Sequence, residues 1–137
     1  MARRGWGEEF YAKKLSQIAE GETTYLQPMQ FVRYCLDRQG LSLQWLSEAC
    51  GYRPYAFHYQ FNGGGGISRN NYGKLEYLTG KPRSFWMQSR YTPEQAEQVT
   101  FREGLSAAHI DPPKGSHTER LDREAMDHGS TQPGKSR

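Results

Sequence analysis

Apolar residues recur at intervals of three and four along most of the chain, the spacing that places side chains on one face of an α-helix. Tyr11, Leu15 and Ile18 form such a stripe in residues 8–20, and the glycine at position 21 ends the pattern. The alternation of apolar and polar residues that marks a β-strand does not occur. The pattern therefore predicts an all-α protein.

Further predicted helices are bounded by residues that favour helix ends. Pro28 is a favoured first residue for a helix that runs to Gly40, and Ser42 is suited to cap a short helix that Gly51 ends. The same signals predict four more helices: one from Pro54 to Phe61, one after Ser68, one after Ser84, and a polar one that opens with a capping box at Thr92 and runs to about residue 103.

Composition divides the chain into a core and polar ends. Apolar residues concentrate between Leu26 and Phe101, whereas the residues after Gly104 are mainly Ser, His, Pro, Lys, Gly and Asp. Such a segment buries too little apolar surface to offset the entropy of ordering it. The predicted organisation is an N-terminal extension with an amphipathic helix (1–26), a helical domain (27–91), a C-terminal helix (92–103) and a disordered polar tail (104–137).

The net charge of +3 is unevenly distributed. Residues 27–91 contain eight basic and three acidic side chains, a local excess of +5, whereas residues 92–137 contain six basic and eight acidic ones. A basic domain beside an acidic tail is the distribution expected of a protein that binds a polyanion. Ordinary protein surfaces show similar scatter, so the charge pattern leaves both interpretations open.

Nothing in the sequence supports an enzyme or a metalloprotein. Cys35 and Cys50 lie at apolar positions of helical patterns, which favours buried free thiols and a reducing cytoplasm. The glycines at 63–66 follow no strand and precede no Lys-Ser/Thr, so they are interpreted as a connector between helices rather than a phosphate loop. His58 has no metal-ligand spacing to other residues. We expect no catalytic residue, no cofactor, no metal and no membrane span.

Residues 41–63 carry the most informative pattern. Two short helices are joined by a turn of three to four residues at Gly51, where glycine can adopt the positive φ angle of a tight turn. Ser47 is small enough for the point at which the two helices cross. This arrangement leaves one face of the second helix, residues 54–61, outside the core, and we expect Tyr55, His58 and Tyr59 to project outward from it.

The segment resembles the helix-turn-helix of the lambda-repressor (XRE) family, and more narrowly that of the HigA-type antitoxins of toxin–antitoxin pairs. The similarity extends from about Pro28 to Tyr91. It depends on an ordered set of residues: Gly40-Leu41-Ser42, Leu46, Gly51, Phe61-Asn62-Gly63, Gly66-Ile67-Ser68, Leu75, Gly80 and Phe85-Trp86. The resemblance implies a five-helix lambda-repressor-like helix-turn-helix domain, here with an extra helix at each side.

The resemblance also implies a mode of binding to double-stranded DNA. Residues 54–61 would be the recognition helix in the major groove, where base contacts specify the sequence and phosphate contacts position the protein. The implied DNA-binding residues are Ser42, Gln44, Arg53, Tyr55, His58, Tyr59 and Arg69. Phe85 and Trp86 open the helix at which the family dimerises, which implies a homodimer on a palindromic operator with recognition helices about 34 Å apart.

The expected function is that of a sequence-specific transcriptional regulator in the cytoplasm, associated with the nucleoid and repressing its own operon. Neutralising a partner toxin would make it an antitoxin, with the N-terminal helix and the acidic tail available to that partner. The alternative is a protein-interaction module that has kept the fold and lost specific DNA binding. That alternative is motivated by the aromatic recognition face and by Leu43, which stands where family members often have glutamine. Gln60 and Gly73 also depart from the family's usual residues.

Overall fold

The structure is a computed structural model that describes residues 7–110. This part of the chain is all-α, as predicted. Its helices are Glu8–Ala19 (α1), Pro28–Gln39 (α2), Leu43–Ala49 (α3), Ala56–Asn62 (α4), Tyr72–Thr79 (α5) and Arg83–Trp86 (α6), with 3-10 helices at Arg69–Asn71 and Pro93–Gln98. Within residues 7–110 the sheet-like pairing is limited to one antiparallel bridge between Leu26 and Tyr91. None of the described helices has the length and apolar character that crossing a membrane requires.

The second helix, α2, forms the centre of the core. Its first turn is buried on nearly all sides, from Met29 to Val32, and its second half is buried at Cys35 and Leu36. The apolar side chains among these contact residues from the other helices in a single hydrophobic cluster. Phe31 stacks on Tyr91 with ring centroids 4.2 Å apart and lies 6.1 Å from Trp86. The elements that carry the candidate site therefore rest on one packed core.

The first helix, α1, shares this core. Tyr11 is 2% exposed, its ring meets Phe61 of α4 edge-on at 5.7 Å, and its hydroxyl donates to Asp37 of α2 at 2.6 Å. The predicted apolar stripe is only partly buried, because Ile18 packs against the core while Leu15 is exposed. One turn of α1 thus links it to both α2 and α4.

Serine and glycine bound the helices next to the site as predicted. The Ser42 hydroxyl oxygen accepts a hydrogen bond from the Trp45 N–H at 3.0 Å and so caps α3. Gly40 ends α2 with a φ of +79°, a left-handed conformation that costs glycine little.

Two other predicted caps are wrong. Helix α6 begins at Arg83, directly after Pro82, so Ser84 lies inside the helix rather than before it. Ser68 precedes a short 3-10 helix and makes no side-chain capping bond there. In the first case Pro82 adopts an extended conformation just before the helix, so the helix begins at Arg83, two positions earlier than a cap at Ser84 would place it.

The C-terminal region departs most from the prediction. The capping box at Thr92 is present, but it opens a 3-10 helix of six residues, Pro93–Gln98, instead of an α-helix to residue 103. The chain then turns back onto the core through Phe101, which is 1% exposed, and Ala107, which is 0% exposed. The predicted disorder is therefore wrong for residues 104–110, and the rest of that predicted tail, residues 111–137, lies outside the described residues.

The burial of both cysteines predicts their reactivity. Cys35 and Cys50 are 2% and 1% exposed, and burial raises the pKa of each thiol to about 12. Because the thiolate is the reactive form, an aromatic disulfide reagent at pH 8 should label the folded protein at least about a hundredfold more slowly than the protein in guanidinium chloride. Rapid labelling of either cysteine in the folded protein would contradict this packing.

Candidate nucleic-acid interface

The connection between α3 and α4 begins with a glycine-terminated helix end. Gly51 has a φ of +82°, its N–H donates to the Glu48 carbonyl at 3.0 Å, and the Tyr52 N–H donates to the Ser47 carbonyl at 2.9 Å. This pair of bonds is a Schellman motif, which satisfies the last carbonyls of a helix. The conformation predicted for Gly51 is confirmed, although the connection spans residues 50–55 and is longer than predicted.

A buried hydroxyl joins α3 to α4. Ser47 is 0% exposed, and its Oγ donates to the Leu43 carbonyl at 2.9 Å while accepting from the Phe57 N–H at 3.1 Å. Phe57 is the second residue of α4, and the first N–H groups of a helix have no partner within the helix itself. Ser47 therefore acts as a capping side chain supplied from the neighbouring helix, and its small size allows α4 to approach.

Helix α4 has a buried face and an exposed face. Phe57 and Phe61, four residues apart, are 0% and 2% exposed and pack into the core. Tyr59 lies between them in sequence, about 200° around the helix from each, and is 76% exposed. Tyr55, four residues before Tyr59, is 63% exposed. The tyrosines thus project from the side of α4 that faces away from the core.

The start of this helix differs from the prediction. The α-helix begins at Ala56 rather than Pro54, and Tyr55 occupies the position that precedes its first helical residue. The Tyr55 and His58 rings meet edge-on at 5.4 Å, so one contact fixes these two predicted residues relative to each other. His58 is half-buried, and its Nδ1 is buried without a hydrogen-bond partner among the described residues.

The remaining predicted DNA-binding residues lie on three other elements. Ser42 and Gln44 are exposed in the first turn of α3, Arg53 is exposed in the connection before α4, and Arg69 is exposed in the first 3-10 helix. The Gln44 amide donates to the Glu48 carboxylate at 3.3 Å, so part of its hydrogen-bonding capacity is used within α3.

The chain around α4 contains no carboxylate. From Ala49 to Leu75 the sequence includes no Asp or Glu, while Arg53 and Arg69, on either side of α4, are both exposed. A ligand that approached the exposed tyrosines would therefore meet cations and hydroxyls from this stretch. The charge of this stretch favours an anionic ligand, and the carboxylate that precedes it, Glu48, is exposed on α3.

Two departures from the family pattern have a structural role here. Leu43 is 6% exposed and belongs to the core, which a glutamine would not favour. The Gln60 side chain accepts a hydrogen bond from the Ser68 N–H at 2.8 Å, and its backbone carbonyl accepts from the Gly65 N–H at 3.2 Å. Gln60 thereby organises the glycine-rich connector that leads from α4 to Arg69.

Lys74 was missed by the sequence analysis. It is 5% exposed, and its ammonium donates to the Cys50 carbonyl at 3.2 Å and to the Ala107 carbonyl at 3.0 Å. The signal for its burial was its position four residues before Leu78, on the same face of α5. Lysine side chains are usually exposed, so the residue type gave no reason to predict that Lys74 is buried.

The predicted dimer contacts differ in their exposure. Phe85 is half-buried, whereas Trp86 is 1% exposed and packs against Phe31 and Tyr91 inside the same chain. Trp86 is thus a core residue with almost no free surface to offer a second copy. The contribution of this pair to a dimer interface stays a prediction.

No family model, no curated protein and no solved structure matches this chain. Residues 7–110 also hold no group of three or more His, Cys, Asp or Glu side chains that could bind a metal ion. The function therefore has to be inferred from the geometry and chemistry of the surface around α4.

Removing the Ser47 hydroxyl tests how α4 is held. Ser47→Ala leaves the buried Phe57 N–H without its partner, so we expect the free energy of unfolding to fall by about 1–3 kcal/mol in denaturant titrations. Ser89→Ala, at an exposed position, is the matched control and should change it by less than about 0.5 kcal/mol. Equal losses in the two variants would show that the bond to Phe57 does not stabilise the fold.

Proposed function

We propose that this protein binds double-stranded DNA by inserting α4 into the major groove. The observation that carries the proposal is that Phe57 and Phe61 bury one face of α4 while Tyr59, on the other face, is 76% exposed and Tyr55, just before the helix, is 63% exposed. A short helix packed on one side and free on the other is what groove insertion requires. Helices α3 and α4 with their glycine turn would then form the helix-turn-helix implied by the resemblance to the XRE family.

The charges around α4 support a polyanionic ligand. Arg53 and Arg69 lie before and after the helix, and no carboxylate occurs between Glu48 and Glu76. Contacts from arginine to phosphates release condensed counterions and position a protein on the duplex without specifying sequence. In this proposal Arg53 and Arg69 position the protein, while residues of α4 specify the site.

The chemistry of the exposed side chains suggests how bases would be recognised. Tyr55 and Tyr59 offer ring edges to the methyl group of thymine and hydroxyls to base-edge acceptors or phosphates, and His58 adds an imidazole beside them. This face lacks the arginine, asparagine or glutamine that forms the usual bidentate pairs with bases. We infer a site whose specificity depends on thymine methyl groups and on the shape of the groove.

The proposed biological role is a homodimeric regulator that binds a palindromic operator and represses its own operon. Two-fold symmetry would place two copies of α4 on half-sites one turn of DNA apart. Pairing with a toxin protein would extend this role to that of an antitoxin.

One observation favours a second function, a protein-interaction module. Tyrosine supplies large contact area at low entropic cost and is enriched at protein–protein interfaces. The exposed Tyr55 and Tyr59 would suit such a partner as well as they suit DNA. The two functions differ in their response to salt, because phosphate contacts make DNA affinity fall steeply as salt is raised.

DNA binding is tested by selecting ligands from a random duplex library and measuring affinity at two salt concentrations. We expect a consensus with two half-sites, and affinity that falls with salt in proportion to the number of phosphate contacts. Tyr55→Ala with Tyr59→Ala should reduce the preference for the consensus over random duplex by at least about tenfold, since base contacts contribute about 1–3 kcal/mol each. Arg69→Ala should weaken binding to all sequences and lower the salt slope by about one.

Matched controls are available outside α4. Tyr25→Ala removes a tyrosine that is 42% exposed in the segment between α1 and α2, and Arg90→Ala removes an exposed arginine near α6. Both variants should bind like the unmodified protein. Failure to enrich any duplex, or identical losses in the test and control variants, would rule out this assignment and favour the protein-interaction module.

A further inference from the structure

The segment of residues 104–110, here called the strap, crosses the C-terminal end of α3. The Ala107 N–H donates to the Ala49 carbonyl at 2.6 Å, and the Ala107 carbonyl accepts from the Lys74 ammonium at 3.0 Å. Ala107 itself is 0% exposed. The strap therefore supplies a donor to the end of α3 and an acceptor to a buried cation from α5.

Lys74 connects the strap to the turn before α4. Its ammonium also donates to the carbonyl of Cys50, at 3.2 Å. Cys50 immediately precedes Gly51. A buried ammonium is stable only when hydrogen-bond acceptors surround it, because charge is costly to remove from water. Loss of the Ala107 carbonyl would weaken this set of acceptors, so release of the strap would disturb the end of α3.

Two glycines mark where the strap lies against the helices. A Cβ atom added to Gly51 would lie 2.5 Å from the Ala108 Cβ, and one added to Gly73 would lie 3.3 Å from the Ile110 Cγ2. The first distance is shorter than real Cβ contacts allow, so a residue larger than glycine at position 51 would clash with the strap. The Cβ added to Gly73 would also lie 2.9 Å from the Arg83 Nη2 of α6. Gly73, unexpected inside a helix, thus leaves room on α5 for both the Arg83 side chain and the strap.

We propose that the strap is a positioning element for α4, and that its docking sets the affinity of the α4 surface for its ligand. The strap covers the turn at Gly51, five residues before α4 begins, and Lys74 fastens both to α5. With the strap docked, the Schellman turn and α4 keep one orientation. With the strap released, Gly51 loses its contact with Ala108, and the Lys74 ammonium no longer links the turn to the strap. Helix α4 then moves more freely. The effect on DNA affinity rests on the proposed function; the effect on the motion of α4 does not.

The test compares two full-length variants that add the same charge to the strap. Ala107→Glu places a carboxylate at a buried position and should release the strap, whereas Ser106→Glu adds it at the neighbouring exposed position. We expect Ala107→Glu to raise the rate of amide hydrogen exchange in residues 50–62 at least about tenfold, with α2 nearly unchanged as the internal reference. Ser106→Glu removes only an exposed bond within the strap, from the Ala108 N–H to the Ser106 hydroxyl at 3.3 Å, so it should leave both regions as they are. In the same pair, Ala107→Glu should weaken binding to the selected duplex at least about tenfold relative to Ser106→Glu.

A second variant serves if Ala107→Glu unfolds the whole chain. Lys74→Met keeps the length and apolar character of the buried side chain while removing the ammonium that fastens the strap to the turn. Exchange in residues 50–62 and in the strap should then rise together, ahead of exchange in α2.

The outcomes separate this inference from the proposed function. Faster exchange in the strap with no change in residues 50–62 would overturn the coupling, and unchanged DNA affinity despite faster exchange in α4 would overturn its control of binding. If the unmodified protein binds no duplex while exchange in residues 50–62 still responds to the strap, the proposed function fails and the coupling holds.

Discussion

Helix α4 has seven residues, too few for a helix to be stable in water without support from its neighbours. The side chain before its first helical residue makes no capping bond, and the structure replaces that bond with the Ser47 hydroxyl from α3. One oxygen atom thus satisfies a backbone donor of α4 and also fixes the distance between the two helices. The exposed tyrosines keep a defined direction only because this buried contact, together with Phe57 and Phe61, holds the opposite side of the helix.

The C-terminal end of α3 is also stabilised by hydrogen bonds from outside the helix. Its last carbonyls and the Cys50 carbonyl that follows are satisfied from three parts of the chain: the turn at Gly51 and Tyr52, the strap, and the Lys74 ammonium. Buried backbone groups rarely remain unpaired in folded proteins, and here the partners converge on the turn that precedes α4. The orientation of α4 is therefore a property of the whole helical domain rather than of the two-helix unit alone.

Local signals in the sequence were sufficient for most helices near the site. Glycine at 40 and 51 and serine at 42 act through bonds within a few residues, so their effects can be inferred from sequence. The burial of Ser47 and the exposure of Tyr55 and Tyr59 also agree with the predicted packing. His58, predicted to project outward with the tyrosines, is instead half-buried. Their role in binding DNA remains a prediction that the geometry supports through exposure and charge.

The features that sequence did not reveal depend on long-range contacts. Leu105, Ala107, Ala108 and Ile110 make the strap more apolar than the rest of the predicted tail. Its partners on α3 and α5 are distant in the sequence, so no local pattern indicated where it docks. Lys74 is buried where two distant carbonyls accept its protons and the Tyr52 ring lies 5.1 Å from its ammonium. The six residues after Thr92 have a capping box at their start, yet they form a short 3-10 helix, after which the chain returns to the core at Phe101.

Chemical shift changes in the backbone amides of the isotope-labelled protein, followed as a selected duplex is added, address the central claim most directly. Contact through α4 predicts saturable changes concentrated in residues 53–59 and at Arg69, with amides of α1 and the second 3-10 helix unaffected. Changes centred on α1, or changes spread evenly over the domain, would contradict the claim that the exposed face of α4 binds DNA.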